Sequence, residues 1–246
     1  MAQHLESEFD AGVLRLTLNR PRKGNLVTPR MMLDLAARVR GAGDDKGLKA
    51  VLVEGRGPNF CVGREPKPIP GGSARTAFEA HQSVMGPILA VYEAFRRCPA
   101  PVIAVARGQV RGFGCGIVGA ADLALADAQA TFALPEMAHG IPPTLVISAL
   151  AHVNRKSLAD LVYSGEAVDA RTALAIGLVG RIVENGPAGD AAHRLISTLR
   201  GYDVPAIRLV KQFLGKPGLL DPDSLSELAG YSLATAFTRP RERSNL

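Results

Sequence analysis

A single carboxylate set among apolar residues, in Leu134-Pro135-Glu136-Met137, follows a dense run of glycines at Gly108, Gly112, Gly114 and Gly116. The glycines fall on a segment that otherwise reads as helical, where each costs about 1 kcal/mol against Ala. Close approach of backbone to backbone, or to a ligand, is the usual reason to accept that cost. A helix that starts in such a run presents free N–H donors at the positive end of its dipole. A carboxyl in apolar surroundings has its pKa raised and accepts a proton near neutrality. Together the two features can polarise a carbonyl group and move a proton beside it.

The elements that must hold these residues are legible from periodicity and punctuation. Val102–Ala106, entered through Pro99 and Pro101, reads as a buried strand ahead of the glycines. Asp122–Ala126 and Thr131–Leu134 are two more, the second leading directly into Glu136. Upstream, Phe9–Leu18 alternates about Asp10-Ala11-Gly12 as a hairpin, and Ala50–Glu54 is a further buried strand. Thr28 is an N-cap with Pro29 at the first helical position, and apolar residues recur at helical spacing to Arg40. Between hairpin and helix lies a basic turn, Asn19-Arg20-Pro21-Arg22-Lys23-Gly24-Asn25. The long Gly- and Pro-punctuated loop from Gly55 through Ser73 is a length that usually serves function. Thr76–Cys98 reads as an amphipathic helix kinked at Gly86-Pro87. The remainder reads as helices at 143–153, 157–163 and 170–176, a short strand at 179–183, and helices at 190–200, 205–214 and 225–238.

Composition sets the bounds. With 246 residues and 47% hydrophobic content the chain buries a sizeable core, and with aromatics at 5% that core is aliphatic. The +6 formal charge spreads over 29 basic and 23 acidic residues without a basic, aromatic-interleaved run. It fits an anionic small molecule better than a nucleic-acid surface. Cys61, Cys98 and Cys115 show no metal spacing and no even framework, and no signal-like N-terminus precedes them. The expectation is a reducing, cytoplasmic setting, with no apolar run near the ~20 residues needed to span a bilayer. The glycines do not match the dinucleotide-binding fingerprint, which needs Gly-x-Gly-x-x-Gly directly after a strand.

Taken in order, LNRPRKGN, FCVGRE, GQVRGFGCG, ADLALAD, TFALPEMAHGIP and YSGEAVDARTALAIGLVGRIV resemble the crotonase, or enoyl-CoA hydratase/isomerase, superfamily over residues 10 to 185. The resemblance implies an α/β fold: a crotonase-like spiral of ββα units over residues 1–185, with a C-terminal α-helical oligomerisation region over 186–246. It implies an acyl-CoA thioester as substrate, coenzyme A entering as part of it with no separate cofactor, and assembly as a homotrimer or dimer of trimers. It assigns the backbone N–H groups of Arg64 and Phe113 to an oxyanion hole and Glu136 to the catalytic base. Arg22 and Lys23, with Gly24, Val62, Glu65, Gly112 and Pro135, fall at positions that line coenzyme A or substrate.

One departure bears on the reaction. Hydratases of the family carry two glutamates, and the position of the first is Gly116 here. Isomerases of the family work with one, at the position of Glu136. The resemblance therefore implies double-bond isomerisation through an enolate. The alternatives are a hydratase with a recruited second acid and a non-catalytic acyl-CoA-binding member. Arg111 and Phe113 also replace small or aliphatic residues, which would crowd or re-aim the acyl pocket. Glu65 reads as a structural or capping residue, His139 and His81 as packed or solvated histidines, and Cys115 as a small buried residue rather than a nucleophile. Arg239, Arg241 and Arg243 stand where the family places a coenzyme-contacting segment.

Overall fold

A computed structural model describes residues 4–65, 76–184, 187–215 and 221–238. Strands β1 (Leu5–Asp10) and β2 (Val13–Leu18) form an antiparallel hairpin about Ala11 and Gly12, both at positive φ. Helix α1 (Pro29–Gly43) follows, and the Thr28 hydroxyl accepts the Met31 N–H as its N-cap. Strands β3 (Ala50–Gly55) and β4 (Val102–Ala106) lie parallel to β2 and to each other. Between them come α2 (Ala77–Ala80), a π-helical turn at His81–Met85 and α3 (Gly86–Arg97). The expected kink at Gly86-Pro87 is thus a widened turn directly before Gly86, where Pro87 cannot donate a helical hydrogen bond.

The glycine cluster is not one helix. It opens with a short strand, β5 (Gln109–Arg111), and only then becomes helix α4 (Phe113–Ala120). Strands β6 (Leu123–Asp127) and β7 (Thr131–Ala133) follow, then a 3-10 turn at Pro135–His139 and helices α5 (Thr144–Ala149) and α6 (Arg155–Ser164). The two-residue β8 (Val168–Asp169) leads into α7 (Ala170–Ala175), which the Asp169 carboxylate caps at the Thr172 N–H. After β9 (Arg181–Val183) come α8 (Ala188–Arg200), α9 (Val204–Leu214) and α10 (Pro222–Thr238).

Two sheets result. The larger runs β1-β2-β3-β4-β6-β9 and the smaller β5-β7-β8. Successive units send one strand to each sheet and then a helix, β4-β5-α4 and β6-β7-α5, which is the ββα spiral that the family resemblance implied. Alternation divides the large sheet's residues between two cores. Val51, Val53, Val102 and Ala104 join the core with α1 and α3, whereas Ala50, Leu52, Ile103 and Val105 pack with Ala188, Ala192 and Ile196 of α8. Burial on both faces is why these strands read as unbroken apolar runs.

Asn25 is the one fully buried polar residue among those described, and it adopts a left-handed conformation at φ 59°. Its Oδ1 accepts the Arg20 N–H at 2.8 Å, while Nδ2 donates to the carbonyls of Arg56 and Asn59 at 2.9 and 2.8 Å. The basic turn is thereby fastened to the end of β3. Asn25→Ala removes three hydrogen bonds to backbone groups and forces Ala into left-handed geometry, so we expect a loss of about 2–5 kcal/mol in urea unfolding. Asn25→Gly removes the bonds but accepts the geometry, and should cost about 1 kcal/mol less.

Candidate active site

Three chain segments run parallel and end side by side. Loop residues 60–64 lie against β5, with the Phe60 N–H on the Arg107 carbonyl and the Arg111 N–H on that of Cys61. On its other side β5 pairs in parallel with β7, Arg111 opposite Ala133, and the Gly112 N–H donates to the Ala133 carbonyl at 3.0 Å. Gly63-Arg64, Gly112-Phe113 and Pro135-Glu136 therefore leave the same ends of adjacent strands. A short sheet thus gathers residues far apart in sequence.

At the first end, the Val27 N–H bonds the Gly63 carbonyl and the Glu65 N–H bonds the Val27 carbonyl. In a parallel bridge this pattern turns the intervening residue's own N–H, that of Arg64, toward the opposite side. At the second, Gly112 sits at φ 51° and ψ −116°, a conformation that only glycine adopts readily, and turns the chain into α4. Phe113 is the first helical residue, so its N–H has no acceptor within the helix and lies at the positive end of the dipole. At the third, Glu136 rides the 3-10 turn closed by Gly140, whose N–H donates to the Glu136 and Met137 carbonyls.

The Glu136 carboxyl lies against the Gly112 turn. A Cβ on Gly112 would stand 2.6 Å from Glu136 Oε1, so a side chain there would push the carboxyl aside as well as strain the turn. The other oxygen, Oε2, is buried and has no hydrogen-bond partner among the described residues. Burial raises the Glu136 pKa above its ordinary value, only partly opposed by the backbone and by the His139 charge. His139 itself is exposed and its Nδ1 is bonded to the Pro135 carbonyl at 3.1 Å.

The remaining sequence-predicted residues divide. Gly24 and Val62 are in contact: the Val62 N–H bonds the Gly24 carbonyl at 3.0 Å, and a Cβ on Gly24 would meet Val62 Cγ2 at 2.8 Å. Arg22 and Lys23 are exposed on a 3-10 turn at the rim, Pro21–Lys23. Glu65 is in an ion pair with Arg20 at 2.8 Å and with Lys23 at 3.4 Å. The Arg20 hydrogen bond holds its carboxyl below the ordinary value. Glu65 thus braces the turn. The Arg111 guanidinium clamps β7, donating to the Thr131 carbonyl at 2.6 Å and hydroxyl at 3.0 Å. Pro135 is half-buried at the head of the Glu136 turn, and Cys115 is fully buried. His81 is exposed in the π-helical turn. Residues 66–75 and Arg239, Arg241 and Arg243 lie outside the described residues. Among the described residues no three His, Cys, Asp or Glu side chains gather to hold a metal ion, and no helix is long and apolar enough to cross a membrane.

The sequence reading passed over Tyr92. Its ring stacks on Phe113 with centroids 6.1 Å apart and planes 27° apart, and its hydroxyl fills the space beside Gly116. A Cβ on Gly116 would overlap the hydroxyl oxygen and stand 3.0 Å from Cζ. The space beside Gly116 is therefore occupied by a phenol from α3.

The family model for enoyl-CoA hydratase/isomerase matches residues 8–216. The chain belongs to that family. A crystal structure of an enoyl-CoA hydratase from Mycobacterium smegmatis superposes with a TM-score of 0.89 at 29% identity, covering 97% of this chain and 93% of that one. Human enoyl-CoA hydratase domain-containing protein 3, mitochondrial, is 27% identical over 94% of this chain and 80% of its own length. A Mycobacterium tuberculosis protein is 29% identical over 93% of this chain and 89% of its own length. It is the (7aS)-7a-methyl-1,5-dioxo-2,3,5,6,7,7a-hexahydro-1H-indene-carboxyl-CoA hydrolase. This enoyl-CoA hydratase/isomerase family member is an acyl-CoA enzyme by that kinship.

The burial of Glu136 has a measurable consequence. Burial favours the neutral carboxyl, so the folded protein keeps that proton to a higher pH than the unfolded chain, where Glu titrates near 4.5. The group's stabilising share is complete below that value and is lost as pH rises through the folded-state value. Glu136→Gln should therefore melt with the wild-type protein near pH 4.5 and above it at pH 8. An equal difference at both pH values would show that the carboxyl is not perturbed by burial.

Proposed function

We propose that the protein carries out one-base enolate chemistry on an acyl-CoA thioester and shifts a double bond rather than adding water. The observation that carries this reading is the Glu136 carboxyl, partly buried against the Gly112 turn, with a phenol where a second carboxylate would stand. In the proposed cycle the thioester oxygen accepts hydrogen bonds from the Arg64 and Phe113 N–H groups. Glu136 takes a proton from the carbon beside the carbonyl, and the electron pair left behind spreads onto that oxygen and through the adjacent double bond. The same proton is returned to the carbon two bonds further on, so nothing is oxidised, reduced or added. A base whose pKa is lifted by burial suits this double task, since it must release the proton as readily as it takes it. The α4 dipole supplements the Phe113 N–H, and a donor of this kind is typically worth about 10²–10³ in rate.

Coenzyme A enters as part of the substrate in this reading. Arg22 and Lys23, exposed on the rim, are proposed to meet its anionic groups, with Gly24, Val62, Glu65, Gly112 and Pro135 shaping the way in. The exposed apolar side chains of α9 and α10, among them Val210, Leu214, Tyr231 and Leu233, support self-association through the C-terminal helices. The trimeric arrangement common in the family is the assembly we propose.

Incubation with 3-enoyl-CoA and 2-enoyl-CoA in ¹⁸O-labelled water, read by mass spectrometry, tests the reaction. Migration of the double bond without ¹⁸O uptake is expected. Glu136→Gln should lower turnover about 10²–10⁴-fold while acyl-CoA affinity stays within a few-fold. A 3-hydroxyacyl product carrying ¹⁸O would overturn isomerisation in favour of hydration. Undiminished turnover in the Gln variant would remove Glu136 from the mechanism.

A further inference from the structure

Glu136 Oε2 and the Tyr92 hydroxyl are both buried side-chain oxygens without a hydrogen-bond partner among the described residues. They are also close enough for the Glu136 charge to act on the phenol. Glu136 lies against Gly112, the N-cap of α4, and Tyr92 against Gly116, in its first turn. Two such groups at one helix start are costly, because each buried and unpaired polar atom gives up its solvation without gaining a partner. The backbone makes room for them: the N-cap of α4 and its fourth residue are both glycine, and any larger residue at Gly116 would displace the phenol. Stacking on Phe113 and burial to 1% exposure then fix the Tyr92 ring.

We infer that Tyr92 is a specificity-determining residue whose hydroxyl donates a hydrogen bond to an oxygen on the acyl group, so that the preferred substrate is an oxygen-bearing acyl-CoA and not a plain hydrocarbon chain. The inference rests on the acyl-CoA reading of the site and names the class of acyl group within it. Burial and the nearby Cys115, Glu136 and Cys61 raise the Tyr92 pKa, so the phenol is neutral at physiological pH and acts as a donor. It cannot serve as a second base. A hydrocarbon chain bound beside it offers no acceptor and leaves the hydroxyl unpaired, whereas a hydroxyl or keto oxygen on the acyl group satisfies it. Sites with a buried polar group reject ligands that fail to pair with it. Tyr92 is thus proposed to select the substrate while Glu136 and the two backbone N–H groups carry the chemistry.

The test measures binding of three matched ligands, butyryl-, 3-hydroxybutyryl- and 3-oxobutyryl-CoA, with the corresponding six-carbon set beside them. Calorimetry on Glu136→Gln protein avoids turnover, with and without Tyr92→Phe. We expect the hydroxy- or oxoacyl-CoA to bind about tenfold tighter than the hydrocarbon acyl-CoA when Tyr92 is present. Tyr92→Phe should erase that advantage and leave hydrocarbon affinity within about twofold. Phe fills the same space and removes an unpaired hydroxyl, so the single variant should melt no lower than the wild-type protein. Equal affinity for all three ligands, or an equal loss for all three in Tyr92→Phe, overturns the inference and leaves the acyl-CoA reading standing. A marked fall in melting temperature also overturns it, because the hydroxyl would then have a partner in the unliganded fold. Failure of every acyl-CoA to bind overturns the acyl-CoA reading and the inference together.

Discussion

Backbone-to-backbone contact at the start of α4 is the constraint on which the site depends. Gly112 must turn at φ 51° with the Glu136 carboxyl against it, and a Cβ on Gly114 would run into the Cys61 carbonyl. Because these positions carry no side chain, the loop before Arg64, the helix start at Phe113 and the turn at Glu136 can pack side by side. The short sheet does the aligning and the glycines permit the approach. The helix propensity given up at Gly112, Gly114 and Gly116 is the local cost of that geometry, offset by burial of α4 in the main core.

The polar groups around this centre sort by how fully they are paired. Those that hold the frame are satisfied several times over: Asn25 by three backbone groups, Arg111 by Thr131 and Val110, Glu65 by Arg20 and Lys23. Two beside Gly112 and Gly116, Glu136 Oε2 and the Tyr92 hydroxyl, have no partner among the described residues. A rigid, saturated surround with unsaturated groups at its focus is what pre-organisation toward a ligand requires.

Much of the frame was legible because its signals are local. Thr28-Pro29 caps α1 as its residue types dictate, the hairpin turns at Ala11-Gly12, and the doubly buried strands read as apolar runs. Glu136 and the glycines stood out by residue type against their neighbours. What stayed hidden depends on contacts distant in sequence. Strand β5 is three residues inside a glycine cluster and is held by its pairing with β7 and with the 60–64 loop. Tyr92 sits among Val91, Ala94 and Phe95 on the buried side of an amphipathic helix, where it reads as ordinary core. Only the fold reveals that its ring ends at Gly116. The Arg111 hydrogen bonds to Thr131 are hidden for the same reason, until the two strands are paired.

The three cysteines carry a consequence for handling the molecule. Cys61, Cys98 and Cys115 are free and buried, and burial pushes the Cys61 and Cys115 thiols up to about 12. Two of them flank the site: the Cys61 carbonyl ties the loop to β5, and Cys115 Sγ bonds to the Val110 and Ala133 carbonyls. None offers a thiolate to solvent while the fold is closed. A chromogenic disulfide reagent added to the folded protein therefore meets no nucleophile, and its colour develops as the chain opens. The thiols form an internal gauge of opening whose innermost marks, Cys61 and Cys115, sit on the backbone that assembles the active centre.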